Sequence, residues 1–484
     1  MAEPTAKKRH LVWFRHDLRV TDNKALTAAC TDPDAEVLAI FIATPAQWQA
    51  HHLAERQISF IHQNLSALRH QLATLGIPLV CHSSTDFKAS TDWLVQFCQQ
   101  QNISTLFFNR QYELNEQLRD QWLQQHCDQL VIEAFDDFLL LPPGAVRNQK
   151  GEMYQVYTPF RRAFLPQLQQ HGYSSYPAPT PRGEPLNLES DQPLFAHQNI
   201  DLGPNYPAGE KAALQKLRQF CQQNVKQYAQ QRDIPSVEGT SRLSAYLAIG
   251  VLSPRQCINR LLLENPNTFD SSDNDAFSWL NELIWREFYH HLIVAFPDLC
   301  RNKPFIAWTK NLAWSSDSTH LLAWQQGKTG YPIVDAAMRQ MNTTGWMHNR
   351  LRMISASFLV KDLLINWREG EQYFMRQLID GNFAANNGGW QWSASTGTDA
   401  SPWFRIFNPT TQGKKFDPQG KFIRQWIPEL QRVPDKYIHT PHEWTDSQRV
   451  ILDYPQPIVD HSEARKITLE AFERAKNQQF HDDN

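Results

Sequence analysis

The strongest constraint on the fold is a change of periodicity near residue 135. Before it, short apolar runs of strand length recur: LVWF (11–14), EVLAIFIA (36–43), IPLVCH (77–82) and STLFFN (104–109). Between them lie DNKALTAAC (22–30), with Asp22 or Asn23 as cap, ISFIHQNLSALRHQLATLG (58–76) and DWLVQFCQQ (92–100). The second of these has apolar residues at helical spacing, and Gly76 suits its C-terminal end. Strands interleaved with helices predict βαβ units and a parallel sheet. The first strand runs into WFRHDLR with no GxGxxG, so a dinucleotide fingerprint is not supported.

Residues 172–208 are rich in Pro, Ser and Gly, the composition of a linker. From about 209 the strand signal fades. ALQKLRQFCQQNVKQYAQQ, SWLNELIWREFYHHLIVAF, IVDAAMRQMNTT and NRLRMISASFLVKDLLI all read at helical period. The expected organisation is an α/β domain over 1–135 (a doubly wound, Rossmann-like parallel sheet), a connector over 136–208, and a larger all-α domain over 209–484.

A chain of 484 residues is too long for one ordinary core, which agrees with two domains. No apolar run approaches the roughly 20 residues needed to span a bilayer, and MAEPTAKKRH is not followed by a signal-peptide hydrophobic region. Seven cysteines without a CxxC pair fit a reducing compartment, so the expectation is a cytoplasmic enzyme. A net charge of −3 gives no global basic signature for nucleic acid, although a local patch can still hold phosphates. Twelve of the sixteen tryptophans lie between positions 279 and 444, a crowding that core packing alone leaves unaccounted for.

Four motifs in the helical half carry chemistry. EGTSRLSAYLAIG (238–250) enters a helical pattern through a Gly-Thr-Ser run, which suits either an anion site or an ordinary Thr/Ser cap. Trp279, Glu282 and Arg286 fall at i, i+3 and i+7 beside Trp285 and Tyr289. They set a carboxylate among indoles and a guanidinium, or else form a surface ion pair. TGWMHNRLRMISASFLVKD (344–362) brings His348, Asn349, Arg350, Arg352 and Met353 within about three turns, where a solvated basic helix face is the plain alternative.

The fourth motif is DGNFAANNGGWQWSASTGTD (380–399), which has no cysteine, histidine or lysine to move protons or attack a substrate. Gly388 and Gly389 permit close backbone approach, Asn386 and Asn387 offer amides, Asp380 an acceptor, and Trp390 and Trp392 π faces. That describes a pocket for a conjugated cofactor which itself does the chemistry.

Together with GYPIVDAAMRQ, RIFNPTTQGKKFD and LVWFRHDLR, these motifs resemble the DNA photolyase/cryptochrome family, and most closely bacterial class I cyclobutane pyrimidine dimer photolyases. The resemblance covers essentially the whole chain. It implies FAD folded within the helical domain, with Tyr228 and the run Thr240, Ser241, Arg242, Leu243 and Ser244 at its phosphates. Trp279, Arg352, Asp380, Gly381, Asn382 and Asn386 would surround its rings, with Arg352 and Asp380 as an ion pair and Asn386 at flavin N5. Relatives commonly carry Asp where this chain has Asn382, which removes one charge near the flavin.

The implied reaction is light-driven electron transfer from reduced FAD to a pyrimidine dimer flipped out of ultraviolet-damaged DNA, a carbon–carbon lyase activity. Photolyases are a standard case of base flipping. Glu282 would hydrogen-bond the dimer, and Trp285, Arg286, Tyr289, Asn349, Leu351, Met353 and Trp392 would line the lesion pocket. Trp390, Trp367 and Trp314 match an electron relay to the surface, and Arg232, Arg350, Lys414 and Lys415 would meet phosphates. His51, Asn115, Glu116, Cys300 and Arg301 match an antenna site for 5,10-methenyltetrahydrofolate, with 8-hydroxy-5-deazaflavin as the alternative. No metal is implied. Neither a membrane nor an obligate protein partner is expected, and the protein is expected to act as a monomer in the bacterial cytosol. The competing reading within the family is a cryptochrome-type flavin photoreceptor without repair activity. A six-four photolyase is disfavoured by Asn349 and Met353, which stand in the helix where that class uses a histidine pair. A cofactor-free tryptophan-rich scaffold leaves the Asn-Asn-Gly-Gly-Trp array unexplained.

Overall fold

The computed structural model describes residues 8–183, 194–448 and 451–482, so most of MAEPTAKKRH and positions 184–193 of the expected connector lie outside the described residues. Five parallel strands form one sheet in the order β3-β2-β1-β4-β5. They are β1 (Arg9–Phe14), β2 (Glu36–Ala43), β3 (Leu79–Ser83), β4 (Thr105–Asn109) and β5 (Val131–Phe135). His10 of the central β1 pairs with Val37 on one side and Thr105 on the other. Leu11, Val12 and Phe14 are fully buried, which explains an unbroken apolar run in place of alternation. β5 was not evident in the sequence because it is an edge strand, half exposed and interrupted by Glu133.

The crossovers are helical: α1 (Glu55–Thr74), α2 (Phe87–Gln100) and α3 (Leu114–His126). Gly76, at φ +74°, ends α1 in the left-handed region that glycine adopts without strain. The strand order changes direction between β1 and β4, and the loops leaving those two strands face one crevice. His16, Asp17, Gln111, Glu113 and Phe138 line it.

The chain divides into two compact units whose boundary differs from the sequence expectation. The first comprises Met1–Tyr154, Thr158–Lys226 and Ser241–Pro297. The second comprises Gln155–Tyr157, Gln227–Thr240 and Asp298–Asn484. The expected connector carries a helix, α4 (Tyr157–His171), and, besides the short Ser244–Ala248, three long helices of the expected all-α half group with the sheet: α5 (Glu210–Gln222), α6 (Pro254–Glu264) and α7 (Asp275–Ala295). The cause is buried charge pairing. Arg255 of α6 bonds both Asp22 and Asp137, Glu210 of α5 accepts from the Val20 amide, and Glu287 of α7 accepts from the Leu140 amide. Phe160 of α4 meets Phe288 of α7 at 5.2 Å. Composition marked the connector's polarity, not these partners.

The second unit contains α8 (Pro332–Thr344), α9 (Asn349–Ser357), a π turn at Phe358–Asp362, α10 (Trp367–Gln377), α11 (Phe383–Ala394), α12 (Pro409–Phe416) and α13 (His461–Asp482). Its core includes Met338, Leu351, Leu359, Phe374 and Trp390. Among the described residues no helix is long and apolar enough to cross a membrane.

Candidate active site

The Asn-Asn-Gly-Gly stretch forms α11, and its glycines sit inside the helix. Asn382 is the N-cap, and its side chain accepts from the Ala385 amide at 3.1 Å. Asn and Asp cap equally well, so the departure at 382 leaves the helix start intact. Ala384, Asn387, Trp390 and Gln391 are buried, whereas Asn382, Asn386 and Gly389 lie on a partly open face. A Cβ at Gly389 would meet nothing within 4 Å. Asn386 commits one amide N–H to the Glu371 carbonyl oxygen of α10, at 2.9 Å.

Beside this face Arg352 of α9 donates through Nη2 to both Asp380 oxygens, at 3.0 and 2.8 Å, and through Nε to the Met347 carbonyl at 2.9 Å. The Asp380 side chain is 3% exposed and that of Arg352 26%, so the pair is anchored inside and open on its cationic side. Each partner offsets the cost of burying the other.

The expected relay tryptophans are ordered by backbone contacts. Trp390 is 2% exposed and packs on the bare backbone of Gly370, one turn after Trp367 on α10. The Ser315 amide donates to the Leu364 carbonyl at 2.7 Å, which ties the segment carrying Trp314 to the residues just before Trp367. Trp314 is partly buried and meets Phe472 edge-on at 6.4 Å. Trp324 meets the Trp390 ring at 6.0 Å, a neighbour that reading the motifs alone had missed.

A basic rim gathers around Phe416. The Arg350 guanidinium lies 4.7 Å from its ring and the Lys415 ammonium 5.1 Å, while Lys414 and Lys415 are exposed in the last turn of α12. Arg350 also forms a bidentate pair with Asp233, next to Arg232, so part of its charge is already balanced. Asn349 is exposed at the start of α9, and the Met353 sulfur lies 3.6 Å from Arg350 Nη1. Trp392 is half-buried on α11. Tyr228 is buried, with Arg232 over its ring at 5.8 Å, and Thr240 follows a Gly239 packed against Gln231.

In the first unit, Leu243 occupies the cap position before the short helix Ser244–Ala248, and no side chain caps it. The ordinary Thr/Ser cap therefore does not account for the Thr-Ser run. Ser241 Oγ accepts from the Leu243 amide at 3.4 Å, and Arg242 has φ +49°. On α7, Trp279 is 3% exposed against Phe220, Trp285 stacks on Tyr289 at 5.6 Å, and Glu282 is half-buried. The structure brings His51, Asn115 and Glu116 together: Asn115 Nδ2 is 3.0 Å from His51 Nε2, and His51 Nδ1 is 3.8 Å from Glu116. Burial pushes the Glu116 carboxyl up and the His51 imidazole down, and pushes neighbouring Glu113 up to about 7. In the second unit Arg301 is exposed and pairs with Asp298 at 3.0 Å; Cys300 precedes it in the same single turn.

Arg286 and Leu351, both expected to line the lesion pocket, are engaged by the protein itself. Arg286 donates to the Phe138 carbonyl at 2.9 Å with its guanidinium 4.0 Å from that ring, which leaves its side chain 12% exposed. Leu351 is fully buried in the second unit's core, because its helix turns that position inward. Glu371 was missed. Its signal was an acid at i+4 from Trp367 on an otherwise apolar stripe with Phe374 and Leu378.

Two family descriptions match the chain: "DNA photolyase" over residues 10–183 and "FAD binding domain of DNA photolyase" over 279–474. The Deoxyribodipyrimidine photo-lyase of Escherichia coli (strain K12) is 56% identical over 470 residues, covering 96% of this chain and 99% of that protein. A bacterial class III photolyase from Agrobacterium tumefaciens superposes with TM-score 0.86 at 35% identity, covering 99% of each chain. A Synechocystis cryptochrome superposes with TM-score 0.84 at 27% identity, covering 97% of this chain and 100% of that one. The chain belongs to the DNA photolyase family.

Proposed function

We infer that the protein reverses cyclobutane pyrimidine dimers in DNA in a light-dependent reaction, as a carbon–carbon lyase with FAD as its redox group. The observation that carries this reading is the open face of α11. Neutral amides, bare glycine backbone and the adjacent Arg352–Asp380 pair suit a flat, polar-edged ring, and the motif holds no cysteine, histidine or lysine. Such a wall leaves the chemistry to a bound group. The cryptochrome alternative is disfavoured, since 56% identity runs to a photo-lyase and 27% to the cryptochrome.

Within the second unit we assign Arg352, Asp380, Gly381, Asn382 and Asn386 to the flavin, and Tyr228 and Thr240 to its phosphates. Ser241, Arg242, Leu243, Ser244 and Trp279 of the first unit keep the cofactor role that the resemblance implies. Reduced FAD, when bound and excited by light, supplies the electron that opens the dimer. Glu282, in its protonated form, donates a hydrogen bond to the dimer carbonyls, where negative charge develops. Trp285 and Tyr289 of the first unit, and Trp392, Asn349 and Met353 of the second, keep the lesion-contacting roles that the resemblance implies. Trp390, Trp367 and Trp314 return the cofactor to its reduced state. Arg232, Lys414 and Lys415 position the DNA backbone, with Arg350 in a balanced supporting role.

His51, Asn115 and Glu116 support an antenna site on the first unit, for which methenyltetrahydrofolate is the choice and a deazaflavin the runner-up; Cys300 and Arg301 stay with that site by resemblance. The protein is assigned to the bacterial cytosol as a monomer without an obligate protein partner. Ultraviolet-damaged oligothymidylate, incubated with reduced protein under blue light and in the dark, tests the function. Recovery of thymine absorbance only in the light supports it, and equal traces reject it.

A further inference from the structure

Glu371 stands behind the open face of α11 and touches both asparagines. Its backbone oxygen accepts from Asn386 Nδ2 at 2.9 Å, and its carboxylate accepts from Asn387 Nδ2 at 3.0 Å. Asn387 Oδ1 accepts from Gln391 Nε2 at 2.9 Å. Gln391 Oε1 then accepts from the Phe305 amide at 3.0 Å, and its Nε2 also donates to the Lys303 carbonyl at 3.3 Å. A rod of hydrogen bonds thus runs from α10 through the buried face of α11 to residues 303–305. Glu371 is 3% exposed; burial pushes its carboxyl up to about 7, against the lowering pull of Asn387 and of Arg368 one turn earlier. A carboxyl placed this deep needs a reason beyond solvation.

We propose that Glu371 is a positioning residue that fixes which end of the Asn386 amide faces the cofactor. The inference rests on the assignment of Asn386 to flavin N5. An amide is planar, so directing Nδ2 toward α10 turns Oδ1 toward the open face. A reduced flavin carries hydrogen on N5 and an oxidised one does not. An outward oxygen therefore favours the reduced ring, and an outward N–H favours the oxidised one. The Glu371 backbone oxygen survives any substitution. Its carboxylate, through Asn387, sets the spacing of α10 and α11 that keeps the Asn386 bond short.

The test is a redox titration of the flavin-loaded protein, with flavin content per chain measured in parallel. Glu371→Leu should retain flavin while the reduced-to-oxidised ratio at a fixed potential falls about fivefold, the equivalent of one hydrogen bond. Glu371→Gln keeps an acceptor for Asn387 and should stay within about twofold of wild type. Should Glu371→Leu lose its flavin, Gln391→Leu cuts the same rod from its far end and must shift the ratio in the same direction. Wild-type titration of a fully loaded Glu371→Leu or Gln391→Leu protein overturns the proposal, provided Asn386→Leu shifts the ratio. If Asn386→Leu leaves the titration unmoved, the N5 assignment fails first and takes the proposal with it.

Discussion

Trp390 lies against Gly370 so closely that a Cβ on the glycine would overlap the indole ring, and Phe374 meets that ring edge-on at 4.9 Å. Gly370→Ala sets two effects against each other. Alanine is favoured over glycine inside a helix by about 1 kcal/mol, whereas overpacking a well-filled core costs about 1–3 kcal/mol. Trp390 is 2% exposed and has little room to yield, so overpacking wins. The expected result is a loss of about 1–2 kcal/mol in urea unfolding. Light-driven reduction of oxidised flavin should slow, while repair by chemically reduced protein remains.

Glu282 is half-buried on α7, on the helix that also carries the Trp285–Tyr289 stack. Its assigned role is to donate a hydrogen bond where charge develops on the dimer. Glu282→Ala removes that donor and leaves flavin contacts untouched. Repair yield per absorbed photon should fall severalfold at constant flavin content. An unchanged yield, measured by actinometry on damaged oligothymidylate, would detach Glu282 from the dimer.

Which parts of this arrangement were legible in the sequence follows from which forces are local. Runs such as EVLAIFIA announce buried parallel strands because every side chain after the leading Glu36 is apolar, and β2 spans the same residues, Glu36–Ala43. The edge strand β5 lacks that signature, since half of it faces water. The grouping of α5, α6 and α7 with the sheet depends on pairings such as Arg255 with Asp22, 233 positions apart, which no local pattern encodes. At the site, the motif residues were legible by type, but direction was not. Arg286 shares a helix with Glu282 yet turns to Phe138, and nothing local marks Glu371 as the partner of Asn386 and Asn387, 15 and 16 positions away.

Asp380 is anchored inside the second unit while Arg352 remains partly open, so the carboxylate holds the guanidinium in place beside the α11 face. Asp380→Asn keeps the shape but removes the charge and one of two acceptor oxygens. A charge-assisted bond of this kind contributes about 1.5–3 kcal/mol, and the exposure of Arg352 puts the loss at the lower end. Flavin bound per chain after gel filtration should drop, and the protein should remain folded by circular dichroism. Full flavin retention would remove the ion pair from the cofactor site.

Lys414 is exposed in the last turn of α12, beside Lys415 and the Arg350–Phe416 contact. A lysine that neutralises one phosphate releases about one counterion. The slope of log binding constant against log salt should therefore flatten by about 0.9 on duplex DNA in Lys414→Ala. The loss should be uniform across sequences and largest at low salt. Fluorescence anisotropy at four salt concentrations reads it, and an unchanged slope would place the DNA elsewhere.

Lys361 follows from burial in the opposite sense, because its cation lies inside the fold. The side chain sits in the π turn after α9, 1% exposed. Its ammonium donates to Ser395 Oγ at 2.9 Å and the Trp403 carbonyl at 3.3 Å, and lies 3.8 Å from the Phe472 ring of α13. Desolvation lowers its pKa from 10.5 to about 7. A lysine whose folded pKa is depressed gives up a proton that the unfolded chain keeps. Its contribution is therefore most favourable above the unfolded value of 10.5 and is lost as pH falls through 7. Lys361→Met fills the same space without a charge, at the cost of leaving Ser395 and the Trp403 carbonyl short of a donor. The absolute change in stability thus combines two opposing amounts of about 1–3 kcal/mol each. Its pH dependence has one sign: relative to wild type, Lys361→Met should become steadily more stable as pH is lowered from 10 toward 6. Urea midpoints of both proteins across that range read the difference, and a difference that stays flat would mean the ammonium is as well solvated in the fold as in the open chain.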